Sequence, residues 1–176
     1  MSVDVIESLA YKNCALHMFD LNNMCCSNEM EEMELAIGCG HVLYSGGDID
    51  LDQIAEDMAD QYDMQKELIV GPNHPRAKFN TPATVELMMT ANEPIQKAAH
   101  ILGRKVPSHH YAFSLLQLKY HIVRKARTVF AFGVLELNRK EVRGGTGWGV
   151  QMALDLGKKV FVYDYVTHTW ILSAIC

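Results

Sequence analysis

The sequence lacks any apolar run long enough to cross a bilayer. A helical span needs about eighteen consecutive apolar residues, and every apolar stretch here is broken sooner by charge, glycine or proline. It also lacks the pattern of a secretory leader, since Met-Ser-Val-Asp-Val-Ile-Glu has neither a basic start nor an apolar core. A basic excess is missing too. Sixteen Lys and Arg against twenty-one Asp and Glu leave a net charge of −5, which gives no general footprint for nucleic acid. Cysteines are few. Cys14, Cys25, Cys26, Cys39 and Cys176 are an odd set without metal-ligand spacing, and the eight histidines show no zinc pattern. The expectation is reduced thiols in the cytoplasm, with no metal, cofactor or membrane partner. A Gly-x-x-x-x-Gly-Lys-Ser/Thr run is absent, which excludes a P-loop.

What is there is a chain of 176 residues, 49% hydrophobic, long enough for one domain with a real core over 1–176. Short apolar runs read as strands at Cys14 to Phe19, His41 to Tyr44, Glu67 to Val70, Thr128 to Phe132 and Val160 to Tyr163. The apolar tail from His168 reads as an edge strand, and residues 1–12 as a helix or an extended lead-in. Between the strands lie helical patterns. One is capped at Ser27 or Asn28 and runs to about Ile37. The next places Leu51, Ile54, Ala55, Met58 and Tyr62 on an apolar face, with Asp52, Glu56, Asp57, Asp60 and Asp63 mostly off it. Thr81-Pro82 and Asn92-Glu93-Pro94 start two short helices that Gly103 closes, and Ser108 caps a longer one to about Ala126. Strands alternating with helices predict an α/β protein, a Rossmann-like open and mostly parallel sheet with helices on both faces.

Two glycine-rich segments follow strands. Ser45-Gly46-Gly47-Asp48 comes after the strand ending at Tyr44. Gly144, Gly145, Gly147 and Gly149 precede or enter a helix from Trp148 to Leu156 that Gly157 stops. Glycine lets a backbone approach a ligand closely, and a helix start after such a loop offers free N–H groups and a positive dipole end to an anion, most often phosphate. Ligands on parallel sheets sit beyond the carboxyl ends of the strands, where both segments fall. A dinucleotide loop of Gly-x-Gly-x-x-Gly type fits less well. Asp164 stands where a ribose-binding acid belongs, but ten residues separate Gly133 from Gly144, and the glycine spacing differs.

Two motifs carry a resemblance to a family. Val-Leu-Tyr-Ser-Gly-Gly-Asp-Ile-Asp-Leu-Asp, residues 42–52, resembles the strand and Ser-Gly-Gly-Ala-x-Gly-Ala-Asp of the superfamily joining DprA/SMF proteins to the LOG, or "lysine decarboxylase-like", phosphoribohydrolases, often called SLOG. Ser45, Gly46, Gly47 and Asp52 match, while Asp48 and Asp50 replace a small residue and a glycine. Gly-Gly-Thr-Gly-Trp-Gly-Val-Gln, residues 144–151, resembles the LOG pattern Pro-Gly-Gly-x-Gly-Thr-x-x-Glu, and is closer still to uncharacterised members with Gly-Gly-Thr-Gly-Trp. The resemblance covers about residues 41–164. It implies a homodimer that binds a nucleotide-type ligand on both glycine segments. The LOG catalytic glutamate is replaced here by Gln151, and the arginine of the preceding helix by about Lys119. Loss of a positioned acid–base group lowers a rate by about 10²–10⁴, so the matching residues speak for binding and the departures against the LOG reaction.

The ligand candidates are therefore Ser45, Gly46, Gly47, Asp52, Gly133, Arg143, Gly144, Gly145, Thr146, Gly147, Trp148 and Gln151, with Lys119 and Asp48 beside them. Each has a plainer role. The glycines suit tight turns, Thr146 a helix cap, and Trp148 core packing. Arg139, Lys140 and Arg143 suit a solvated loop, and Asp48, Asp50 and Asp52 a helix start. The leading expectation is a protein that senses, sequesters or processes a nucleoside phosphate, a cyclic nucleotide or an ADP-ribose-type molecule. The alternatives are an N-glycosidic phosphoribohydrolase acting on nucleoside monophosphates, with Asp48 or Asp52 replacing the lost glutamate, and a DprA-like module for single-stranded DNA, which the acidic balance disfavours.

Overall fold

The computed structural model describes residues 2–6, 42–46, 51–61, 63–71, 76, 89–136 and 141–173. They form an α/β fold. The strands are β1 (Ser2–Ile6), β2 (Val42–Ser45), β3 (Gln65–Leu68), β4 (Thr128–Gly133), β5 (Lys159–Asp164) and β6 (Thr169–Ser173). The helices are α1 (Leu51–Gln61), α2 (Asn92–Ile101), α3 (His110–Lys125) and α4 (Gly144–Asp155). The strands join one sheet in the order β3-β2-β1-β4-β5-β6. All neighbours are parallel except β5 and β6, so β6 is an antiparallel edge.

Most of this follows from local pattern. The β-branched and aromatic runs at β4 and β5 are buried on both faces, as inner parallel strands require. Val129, Ala131, Val160 and Val162 pack with Val123 and Ala126 from the end of α3 and with Val150 and Ala153 of α4. The alternate residues point the other way. Phe130 stacks on its register partner Phe161 at 5.2 Å between ring centroids, and Trp170 of β6 meets Phe132 edge-on at 5.1 Å. The aligned Phe130–Phe161 pair holds register, because a slip by one residue would move the aromatic row to the face packed on α3 and α4.

Three expectations change. Residues 2–6, which read as part of a helix or an extended lead-in, form β1 at the centre of the sheet between β2 and β4. The strand after α1, β3, lies at Gln65–Leu68, two residues before the expected Glu67 to Val70, and the apolar pair Ile69 and Val70 is buried just past its end. The inward side of α1 carries Asp52, Glu56 and Ala59 at helical spacing, so two acids placed off the buried face are inside it. The expected strand at 14–19 and helix at 28–37 lie outside the described residues, as does the helix expected to begin at Thr81-Pro82. Among the described residues no helix is long and apolar enough to cross a membrane.

Candidate functional site

Ser45, Gly133 and Asp164 end β2, β4 and β5, which run parallel and so finish at one edge of the sheet. The chain is worked differently at the two glycine segments that meet this edge.

At β4 the ten residues between Gly133 and Gly144 do not separate strand from helix in space. Arg143 N donates to Val134 O at 2.9 Å, Glu136 N donates to Glu141 O at 2.8 Å, and Leu135 bridges Val142 antiparallel. The excursion folds on itself and returns the chain to the end of β4. A Cβ on Gly133 would lie 2.6 Å from Val142 Cγ1, so only glycine admits this return. The glycine motif is then not a loop before a helix, as the sequence suggests, but the first turns of the helix itself. Gly144 opens α4 with φ +66°, and Gly145, Thr146, Gly147, Trp148 and Gly149 are helical. The reason is close packing. A Cβ on Gly147 would stand 1.9 Å from Val142 O. The exposed turn at Gly144 and Gly145 presents the helix's first N–H groups, which have no intrahelical partner.

Arg104 fixes this helix start. One of its terminal nitrogens donates to Gly144 O and the other to Val142 O, both at 2.9 Å, with Glu141 Oε2 3.9 Å away. Arg143, at the N-cap, turns to Glu136 Oε1 at 3.1 Å instead. Asp164 ties the excursion to the strand end of β5. Its carboxylate accepts from Leu135 N at 3.2 Å, Val166 N at 3.3 Å and Thr167 Oγ1 at 2.8 Å. Burial opposes its charge, but the Thr167 hydroxyl and the backbone N–H groups of Leu135, Val166 and Thr167 outweigh it and hold the acid below its ordinary range. The position expected for a ribose-binding acid is thus engaged with the protein's own turn.

At β2 the edge is closed by side chains. Ser45 Oγ donates to Glu56 Oε1 at 2.5 Å, and Arg76 grips Glu56 at 3.1 and 2.6 Å through its two terminal nitrogens. Glu56 is 1% exposed and Asp52 4%. The hydrogen bond to Glu56 raises the Arg76 pKa against burial, with the Glu56 and Asp52 charges adding to it. A Cβ on Gly46 would lie 2.9 Å from Asp52 Oδ2 and 3.4 Å from Ile122 Cδ1, so Gly46 makes room for an acid and for α3.

Helix α3 links the two segments. Ile122 reaches Gly46, while Lys119, one turn earlier, brings its Cε to 4.0 Å from the Cβ position of Gly145. Thr146 is buried against Gly133, with its Cβ and Cγ2 each 3.9 Å from the Cβ position there. Trp148 packs among Ala91, Ile95, Ala98, Leu116, Tyr120 and Met152, between α2, α3 and α4. Gln151 donates to Asp155 Oδ1 at 3.1 Å, one turn further from the helix start. Gly47, Asp48 and Asp50 lie outside the described residues, as do Arg139 and Lys140.

The structure therefore brings together Gly46, Asp52, Gly133, Gly144, Gly145, Thr146, Gly147 and Lys119, and sets Trp148 and Gln151 apart on the flank of α4. Glu56, Arg76 and Arg104 join the edge without having been singled out in the sequence. The i, i+4 spacing of Asp52 and Glu56 was the available signal for an acidic inner face, whereas Arg104 reaches its partners across about forty residues and has no local signature. Among the described residues no group of three His, Cys, Asp or Glu side chains is placed to hold a metal ion. Comparison with family models, curated proteins and solved structures gives no match for this chain.

Proposed function

We propose that the protein is a Rossmann-like, SLOG-type module that binds a nucleotide or nucleotide-derived ligand at this sheet edge. The observation that carries the reading is the return of the 134–143 excursion, which sets the start of α4 against the end of β4 despite the ten intervening residues. That removes the main objection to a strand–helix phosphate site. The strand order β3-β2-β1-β4-β5 supports the fold reading, since chain direction across the sheet reverses between β1 and β4, and such a switch point opens a crevice at the carboxyl edge. In this reading the backbone N–H groups of Gly145 and Thr146 face the phosphoryl group, Lys119 adds a cation, and Asp52 accepts from the sugar or base side. Ser45 acts on the site through Glu56. The cytoplasmic setting and the homodimer belong to the same reading, through the family resemblance.

The absence of a carboxylate at Gln151 favours holding a ligand over cutting it. A second reading, N-glycosidic hydrolysis, draws on Asp52, a buried carboxylate beside Gly46, with the buried Glu56 one turn further along α1. One experiment separates them. Purified protein is incubated with nucleoside monophosphates, NAD, ADP-ribose and cyclic nucleotides, filtered, and both fractions are chromatographed. Retention of one intact nucleotide with the protein is the expected outcome. Free base or sugar phosphate in the filtrate establishes the hydrolase. Retention of none, with Gly145→Trp behaving like the parent, overturns both.

A further inference from the structure

We propose that the amino edge of the sheet, where β4 and β5 begin, docks on an anionic lipid bilayer through Arg124, Arg127, Lys158 and Lys159, with the exposed Leu156 beside them. This edge is the opposite end of the strands from the glycine segments, so the proposal stands apart from the nucleotide reading. The cations come from two segments distant in the chain. Arg-Lys-Ala-Arg, residues 124–127, leads from α3 into β4, and Gly-Lys-Lys, residues 157–159, leads from α4 into β5. Thr128 is the register partner of Lys159, so parallel pairing sets the two segments side by side. Lys158 Nζ donates to Arg124 O at 3.2 Å and joins them directly. Arg124, Arg127 and Lys159 are exposed, and Lys158 is half-buried.

Among the described residues Arg124, Arg127 and Lys158 make no ion pair. Lys159 lies over the Phe161 ring, with its ammonium 4.8 Å from the centroid. The acids nearby are engaged elsewhere. Glu67 pairs with Lys125, Asp155 with Lys97 and Gln151, and Asp60 with Lys66. Asp60 and Asp63 also precede β3, which is three strands from β4, roughly 14 Å at the usual strand spacing. That exceeds the screening length of about 8 Å at physiological salt. The negative ends of α3 and α4 account for Arg124 and Lys158. They do not account for Arg127 and Lys159, which lie past the helices where a sheet contributes little dipole. In a chain of net charge −5 this is a local excess of the opposite sign.

Leu156 decides for a bilayer over a nucleic acid. It is the C-cap of α4, two residues before Lys158, and is 38% exposed. An apolar side chain next to cations matches an interface of headgroup phosphates over acyl chains. Single-stranded nucleic acid instead favours aromatic rings on which bases stack. Among the described residues the exposed large aromatic is Tyr111, at the other end of α3. Docking of this kind is peripheral and needs no spanning helix. It leaves the carboxyl edge of the sheet turned away from the surface.

The test is flotation of the full chain with vesicles of phosphatidylcholine alone and of phosphatidylcholine and phosphatidylserine in equal parts, at low and at physiological salt. The parent is compared with Arg127→Gln, Arg124→Gln/Arg127→Gln, Leu156→Ser and, as a control, Lys105→Gln, an exposed cation on the α2–α3 connection. Thermal melts accompany each. The expected result is that the parent floats with the mixed vesicles, less so as salt rises, and not with phosphatidylcholine. Arg127→Gln weakens partitioning about fivefold and the double variant about twenty-five-fold, the scale of one and two cations at an anionic surface. Lys105→Gln changes it less than about twofold, because a charge beyond the screening length is not felt. Leu156→Ser weakens partitioning and leaves its salt dependence in place. If the melts show the double variant unfolded, Arg127→Gln carries the comparison. Equal flotation with both vesicles, no flotation at low salt, or equal losses from Arg127→Gln and Lys105→Gln overturns the proposal. Retention of an oligonucleotide that depends on Arg127, with no flotation, assigns the edge to nucleic acid and overturns the bilayer.

Discussion

Each of the two glycine-bearing segments carries a Gly-Gly pair, directly after β2 in one case and ten residues after β4 in the other, and the fold uses them in opposite ways. At β2 the space beside Gly46 is taken by Asp52 and Ile122, the carboxylates of Asp52 and Glu56 are buried, and Arg76 clamps Glu56. At α4 the glycine at 147 is pressed on the backbone of Val142, but Gly144 and Gly145 face open space apart from Lys119. The lesson is that a glycine run contains two kinds of glycine. Some are required because nothing larger fits, and others leave backbone open to a ligand.

Substitutions sharpen that division. The largest effect is expected at Gly147→Ala, where the methyl has no room against Val142 O; overpacking against backbone is expected to cost about 3 kcal/mol in denaturant titration. Gly145→Ala is the counterpart. It replaces a first-turn glycine whose Cβ would meet Lys119 Cε at 4.0 Å, so the fold should gain about 0.5 kcal/mol while any anion bound at the turn is weakened. Equal destabilisation by the two would erase the distinction.

Next is the β2 end. Arg76→Met leaves Glu56 buried with Ser45 as its hydrogen-bond partner among the described residues, and breaking a buried pair from one side costs about 3 kcal/mol. Arg76→Met combined with Glu56→Leu should recover much of that loss, which a double-mutant cycle in urea reads directly.

Asp164 gives the pH dependence. Its folded pKa lies below the unfolded value of about 3.9, so its contribution is fully present above that value and is lost as pH falls through the folded one. Asp164→Asn should lower stability at pH 7 by about 1–2 kcal/mol. The gap between parent and variant should close as the medium is made acid enough to protonate the parent's Asp164. A gap that stays constant down to strong acid would show that the carboxylate's charge is not what holds Leu135 and the 166–167 turn.

A smaller loss is expected at Ser45→Ala. Its hydroxyl proton is committed to Glu56, so the loss is about 1 kcal/mol of stability. Nucleotide affinity measured on the same variant should be little changed, and a large fall would return Ser45 to the list of groups that touch the ligand.

Much of the layout was legible in the residues themselves. Thr128 to Phe132 and Val160 to Tyr163 are β-branched and aromatic runs that have no other stable place than inner strands. Tyr111 to Val123 keeps helical spacing, Gly103 and Gly157 end helices with positive φ, and the tail forms an edge strand. These features depend on period and on backbone preference, which a sequence carries locally.

What local pattern did not carry was every feature that depends on residues far apart. The strand at 2–6 has too little contrast with its flanks to stand out, and becomes central only because β2 and β4 pair with it on either side. Glu56 is an ordinary acid of an amphipathic helix until Ser45 and Arg76 approach and make its burial tolerable. Arg104 acquires its partners only when α2 and α4 are packed together. The sequence by itself determined the alternation of strands and helices, because hydrophobic period and glycine φ act over a few residues. The tertiary structure alone decided which glycines are pressed and which are open, because that depends on the distance from a missing Cβ to an atom elsewhere in the chain.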